Sequence, residues 1–238
     1  MMTYVLIHGA FHGGWCWKYV ANSLRNAGHQ VYTPTLTGLG ERAHLISPEI
    51  GLDTHVQDIL GVLEYEDLHD VVLVGHSYGG MVITGVAEKC PERLAQLVFL
   101  DAFIPGNGQS LIELFPPEMA GRIRDQARLE GEGYRLPPSS PEIFGITREE
   151  DLAWVRPRLV AQPFKTYLDP VQISNQKAAQ IPHTYIYCLH PRSLLEQFVK
   201  TIRMDKNWQY FEITAGHDAM IVEPEQVSNV LLKLVAKT

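Results

Sequence analysis

The sequence is poor in several things that would have pointed elsewhere. It has three cysteines in 238 residues, Cys16, Cys90 and Cys188, odd in number and far apart. They form neither a disulfide framework nor a Cys-x-x-Cys zinc clip, and they read as reduced thiols of a cytoplasmic protein. Basic residues are outnumbered, 20 Lys and Arg against 27 Asp and Glu. With no basic stripe to neutralise phosphates, no nucleic-acid partner is expected. No run approaches the roughly 20 apolar residues that span a bilayer, so no membrane partner is expected either. The chain opens on Thr3-Tyr4-Val5-Leu6-Ile7 with no charged segment ahead of a long apolar one, and a secretory leader is not expected. Ten histidines are present, but only His8 and His12 stand close together, in a glycine-rich stretch without the helical His-Glu-x-x-His pattern. No metal is expected. A content of 45% hydrophobic residues without low-complexity tracts leaves one compact domain with an ample core.

One stretch organises what is there: Val71-Val72-Leu73-Val74-Gly75-His76-Ser77-Tyr78-Gly79-Gly80-Met81. A buried apolar strand runs into Gly-x-Ser-x-Gly and then into a helical pattern, which is the context a nucleophile elbow requires. A serine at such a turn sits in a strained conformation, and Gly75 and Gly79 let the strand and helix approach each other. The turn also aims amides of the new helix N-terminus at any oxyanion formed there. Without that context the same residues would be an ordinary strand-to-helix turn.

Before the elbow, Val5-Leu6-Ile7 reads as a buried parallel strand ending in the loop His8-Gly9-Ala10-Phe11-His12-Gly13-Gly14, whose free amides would form the second half of an oxyanion hole. It lacks the glycine spacing of a phosphate cradle. A helix is expected from Trp15 to Ala27 with Gly28 at its C-cap, then a strand at His29 to Thr33. A further helix is expected to run to Glu64 with Asp53 as its N-cap. Beyond the elbow helix, Leu94 to Leu100 is a strand that delivers Asp101 at its C-terminal end. From Pro105 to about Ile181 prolines and glycines interrupt short helical segments, Glu118 to Leu129 and Arg148 to Leu159. That is too long for an ordinary connection, and we read it as an inserted lid. Alternation resumes with a strand at His183 to Cys188, a helix at Leu194 to Met204, a strand at Gln209 to Ile213 and a last helix from Pro224 to Val235. The expected fold is α/β: one domain with a mostly parallel, doubly wound sheet of about six strands, core 1–104 and 181–238, lid about 105–180.

Ser77, Asp101 and His217 all fall at strand ends, and a doubly wound sheet opens all of these on one edge. A serine hydroxyl needs a base, His217 is suited to that, and the histidine needs a carboxylate to fix its tautomer. The chain order Ser, Asp, His is that of the elbow motif.

Together, Gly75-His76-Ser77-Tyr78-Gly79-Gly80, His8-Gly9-Ala10-Phe11-His12-Gly13-Gly14-Trp15, Ala215-Gly216-His217-Asp218 and Leu100-Asp101-Ala102-Phe103-Ile104-Pro105 resemble one branch of the α/β-hydrolases. That branch contains plant methylesterases, hydroxynitrile lyases and related bacterial carboxylesterases. The resemblance covers nearly the whole chain and implies an oxyanion hole from the backbone amides of Ala10 and Tyr78. It also implies a departure. The branch usually takes its acid from the loop after the penultimate strand, and in Tyr187-Cys188-Leu189-His190-Pro191-Arg192 a proline stands where that aspartate would fall. Three alternatives stay open: Asp101 as acid, Glu196 or Asp205 reaching in, or a Ser-His dyad. Asp101 is favoured because losing the carboxylate costs about 10⁴ in rate in the template triad; in relatives with the usual acid an aspartate there can be structural. Lyases of the branch carry a threonine after the first loop histidine and a lysine after the catalytic one, where this chain has Gly9 and Asp218. An anion at Asp218 would repel departing cyanide.

The expected activity is therefore serine esterase chemistry, without cofactor, on a small-molecule ester. Gly9, Phe11, Phe103 and Trp154 line the expected pocket, whose aromatic content suits apolar or aryl esters. A homodimer is left open. The rival reading is a non-catalytic small-molecule-binding protein on the same fold, and less favoured is a hydroxynitrile lyase.

Overall fold

The computed structural model describes residues 1–189 and 195–235. Six strands, β1 (Thr3–Ile7), β2 (Gln30–Tyr32), β3 (Val71–His76), β4 (Leu94–Leu100), β5 (His183–Cys188) and β6 (Trp208–Ile213), form one parallel sheet in the order β6-β5-β4-β3-β1-β2. Alternation of side chains explains how the sheet is covered on both faces. Val5, Ile7, Leu73, Leu97 and Phe99 enter one apolar cluster, whereas Tyr4, Leu6, Val72, Val74, Val98 and Leu100 enter the other. The first face carries α2 (Leu52–Tyr65) and α3 (Gly79–Lys89), and the second carries α1 (Lys18–Asn26) and α9 (Pro224–Val235). Strand order reverses between β1 and β3, so the loops leaving these two strands open side by side at the C-terminal edge, the place where such sheets build sites.

The expected helix N-cap at Asp53 is not found. α2 begins at Leu52 with Gly51 as N-cap, and the Leu52 amide donates to Asp169 Oδ2 at 3.0 Å. The cap is supplied by a carboxylate distant in sequence, which leaves Asp53 in the first turn, where an acid still favours the helix dipole.

Between β4 and β5 the chain holds α4 (Pro117–Glu130), α5 (Glu149–Val155) and α6 (Lys165–Leu168). It also holds two short antiparallel ribbons, Gln109–Ser110 with Pro170–Val171 and Arg135–Leu136 with Gln162–Pro163. The ribbons escaped the sequence reading because two-residue strands carry no readable period. This segment is seated on the rest of the molecule at several points. Val160 N–H donates to Phe11 O at 3.0 Å, and the Ser174 and Asn175 amides donate to Glu88 Oε2 at 2.7 and 2.8 Å. A Cβ on Gly145 would stand 2.6 Å from Gly216 Cα. After β5 come α7 (Glu196–Met204) and, beyond β6, α8 (Ala219–Val222). Leu194, expected to open α7, and Pro191, expected where the branch keeps its acid, lie outside the described residues.

Candidate active site

Ser77 sits between β3 and α3 with φ +53°, the left-handed region that a side-chain-bearing residue occupies only when its surroundings impose it. The imposition is visible. Ser77 N–H donates to Leu100 O at 3.3 Å, and Ser77 O accepts from the amides of Gly80 and Phe103, both at 3.1 Å. A Cβ on Gly75 would lie 2.6 Å from Gly79 O, so the two elements meet backbone to backbone.

Asp101 leaves β4 with φ +39° and is buried. Its amide donates to Ile186 O at 2.8 Å, Oδ1 accepts the Cys188 amide at 3.2 Å, and Oδ2 stands 2.6 Å from His217 Nδ1. With an ionised carboxylate as acceptor, Nδ1 carries the proton and donates, which leaves Nε2 with its lone pair. Burial alone would lower the His217 pKa, but the hydrogen bond and charge of Asp101, joined by the charge of Asp218, outweigh it and hold the histidine above its ordinary value. The ring of His76, the neighbour of Ser77, lies 4.6 Å from that of His217. His76 Nε2–H donates to His217 O at 2.9 Å, which ties the two loops together. Burial pushes His76 down to about 3, so it stays neutral.

The other carboxylates weighed for the acid stand elsewhere. Asp205 is exposed and accepts the Asn207 amide at 2.9 Å, and Glu196 is exposed at the start of α7.

His12 was not singled out by the sequence reading except as a weak metal candidate, and the structure gives it a definite place. Its Nδ1 lies 2.7 Å from Ala10 O and its Nε2 lies 3.1 Å from Asp218 Oδ2, both acceptors. Both ring nitrogens therefore carry protons, and His12 is an imidazolium paired with a buried carboxylate. Burial disfavours the charge on each, yet the pairing wins: His12 is held above its ordinary value and Asp218 below its own. This corrects the expectation that Asp218 presents a bare anion to substrate, since it is buried and neutralised by His12. His76, His217 and Asp218 stand close enough to share a cation; His217 Nδ1 and Asp218 Oδ2 are engaged by Asp101 and His12, whereas Asp218 Oδ1 is buried without a hydrogen-bond partner.

Among the described residues, the backbone amides of Ala10 and Tyr78 donate to no protein acceptor. Of the expected pocket residues, Gly9 and Phe103 both adjoin the serine: a Cβ on Gly9 would lie 3.0 Å from Ser77 Cβ and 2.9 Å from His76 Nδ1, and the Phe103 amide donates to Ser77 O. Phe11 faces Phe144 with centroids 6.4 Å apart, and Phe144 lies 5.9 Å from the His217 ring. Phe103 packs on Phe115 at 5.2 Å. Trp154 is not with them. Its ring meets Trp15 at 5.2 Å and Tyr19 at 5.4 Å and joins the apolar cluster on the other face of the sheet. The aromatics between β4 and β5 are numerous enough to serve both faces, and composition cannot say which face each one takes.

The chain belongs to the alpha/beta hydrolase family, whose model matches residues 4–230. It is 40% identical over 243 residues to the carbendazim hydrolyzing esterase of Nocardioides sp. (strain SG-4G), covering 98% of this chain and 100% of that one. Salicylic acid-binding protein 2 of Nicotiana tabacum is 26% identical, with 98% and 97% covered. An extracellular alpha/beta-hydrolase from a Paenibacillus species shares the fold at TM-score 0.83 and 24% identity, with 98% of both chains covered. With methylesterases of Arabidopsis thaliana also among its relatives, the chain stands in the methylesterase branch as a carboxylic ester hydrolase.

Proposed function

We propose that the protein is a serine carboxylesterase for apolar or aromatic esters, with Ser77 as nucleophile, His217 as base and Asp101 as acid. The 2.6 Å contact of Asp101 Oδ2 with His217 Nδ1 carries this reading, because it leaves Nε2 free to take the serine proton. Ser77 Oγ attacks the ester carbonyl as its proton passes to His217, and the amides of Ala10 and Tyr78 receive the oxyanion. His217 then gives the proton to the leaving alcohol. Water repeats the sequence on the acyl-enzyme. Gly9 lets the loop after β1 approach Ser77 closely, Phe11 and Phe103 give the site apolar walls, and the segment between β4 and β5 serves as the lid. The three cysteines, free and buried, fit a reducing compartment.

Carbendazim, taken from the name of the Nocardioides relative, is the first substrate to try beside p-nitrophenyl butyrate. Burst release of p-nitrophenol by the wild type and its loss in Ser77→Ala are expected. Equal release by both proteins would instead support the binding-protein reading. The lyase reading is disfavoured by the absence of a cation at position 218, and cleavage of mandelonitrile without ester hydrolysis would restore it.

A further inference from the structure

The Ala10 half of the proposed oxyanion hole is held by a buried chain of hydrogen bonds that starts in the segment between β4 and β5. Gln162 is fully buried, and its Oε1 accepts the Phe11 amide at 3.1 Å. Phe11 adopts φ +69°, a strained turn for a phenylalanine. Its carbonyl is held from the same side by the Val160 amide at 3.0 Å. The peptide between Ala10 and Phe11 is thus gripped at its N–H by Gln162 and at its oxygen by His12 Nδ1–H. The Ala10 amide, one half of the hole, belongs to the adjacent peptide.

The chain continues with a fixed polarity. Thr166 gives its only hydroxyl proton to Pro163 O at 2.6 Å and therefore accepts from Gln162 Nε2–H at 2.8 Å. That sets the Gln162 amide with its oxygen toward Phe11. The Tyr78 phenol lies outside this hydrogen-bond chain: it donates to His55 Nδ1 at 2.8 Å, since His55 Nε2–H donates to Thr37 O at 2.8 Å and leaves Nδ1 as the acceptor. Burial pushes His55 down to about 4, which keeps this neutral tautomer in place. Gln162, Thr166, Tyr78 and His55 are all excluded from solvent, where a broken link leaves an unsatisfied polar group.

We propose that Gln162 is a positioning residue for the esterase reaction, holding the Ala10 side of the oxyanion hole through the Phe11 amide, with Thr166 fixing the orientation of the Gln162 amide. The inference rests on the esterase reading above. Loss of the link shifts a donor that acts on the transition state more than on the bound ester, and a displacement on the order of 1 Å in such a site costs about 10²-fold. Gln162→Leu is expected to lower kcat by about 10- to 100-fold with KM changed by less than about twofold. Phenylboronic acid adds to Ser77 to give a tetrahedral anion, whereas butyranilide binds as an uncharged ground-state analogue. The ratio of their inhibition constants should therefore change by a similar factor, a shift that general loosening of the fold does not produce. Thr166→Val leaves Gln162 in place but removes the acceptor that fixes its amide, and it provides the same ratio if Gln162→Leu fails to fold. An unchanged ratio in a folded variant overturns the positioning role while Ser77-dependent hydrolysis stands. Hydrolysis that survives Ser77→Ala overturns the esterase reading and this inference with it.

Discussion

At the scale of single residues, the Asp101 to His217 hydrogen bond decides at what pH the histidine can act. As the proposed base, His217 must be neutral to accept the serine proton, and its pKa is raised despite burial because Asp101 stabilises the imidazolium. Activity should therefore fall on the acid side at a pH above the ordinary histidine value of 6.5. In Asp101→Asn the acid limb of kcat/KM should move to lower pH and turnover should drop by about 10⁴-fold, as a mis-set tautomer does in the template triad. Circular dichroism should show an unaltered fold. Near-normal turnover would remove Asp101 from the machinery. Asp101 was legible in the sequence because it ends an apolar strand in a sheet whose strand ends converge. His12 was not, since its partner Asp218 lies 206 positions away and nothing local marks either residue as charged and buried.

At the scale of elements, the His12 and Asp218 pair joins the loop after β1 to the loop after β6. Removing one member of a buried pair strands the other and costs about 3–5 kcal/mol. Asp218→Asn should lower unfolding stability by that order in urea titrations. The pH dependence follows from the two shifts. The raised His12 contributes fully below its ordinary 6.5 and loses that contribution as pH rises through its folded value. The lowered Asp218 contributes fully above its ordinary 3.8 and loses it as pH falls through its folded value. The stability gap between wild type and variant should thus be widest between those two ordinary values and narrow on both sides; a gap independent of pH would refute the pairing. The strands themselves were open to sequence reading: β4 and β5 begin and end where their apolar runs do. The start of α2 was hidden because Asp169 caps it from the inserted segment.

At the scale of the whole molecule, the segment between β4 and β5 meets the loop carrying His217 backbone to backbone at Phe144 and Gly145, and the Gly145 contact can be tested by adding a single methyl group. Gly145 has φ +83°, and a Cβ there would meet Gly216 Cα at 2.6 Å and the His217 nitrogen at 3.4 Å. Asp218 N–H donates to Phe144 O at 3.0 Å beside it, so the two segments have no room to part without breaking that bond. Gly145→Ala carries two penalties, backbone strain on the order of 1 kcal/mol from the left-handed conformation and the clash with the histidine loop. Gly133 separates them. Its φ is +81°, but a Cβ would find nothing within 4 Å, so Gly133→Ala carries the strain alone. Both variants should lose about 1 kcal/mol or more in thermal unfolding. Only Gly145→Ala should lower kcat/KM, by about tenfold or more, because it alone displaces His217 from Asp101 and Ser77. Equal activities in the two variants would mean that the inserted segment and the catalytic loop are mechanically independent, and that the contact seals the fold without holding the histidine in place.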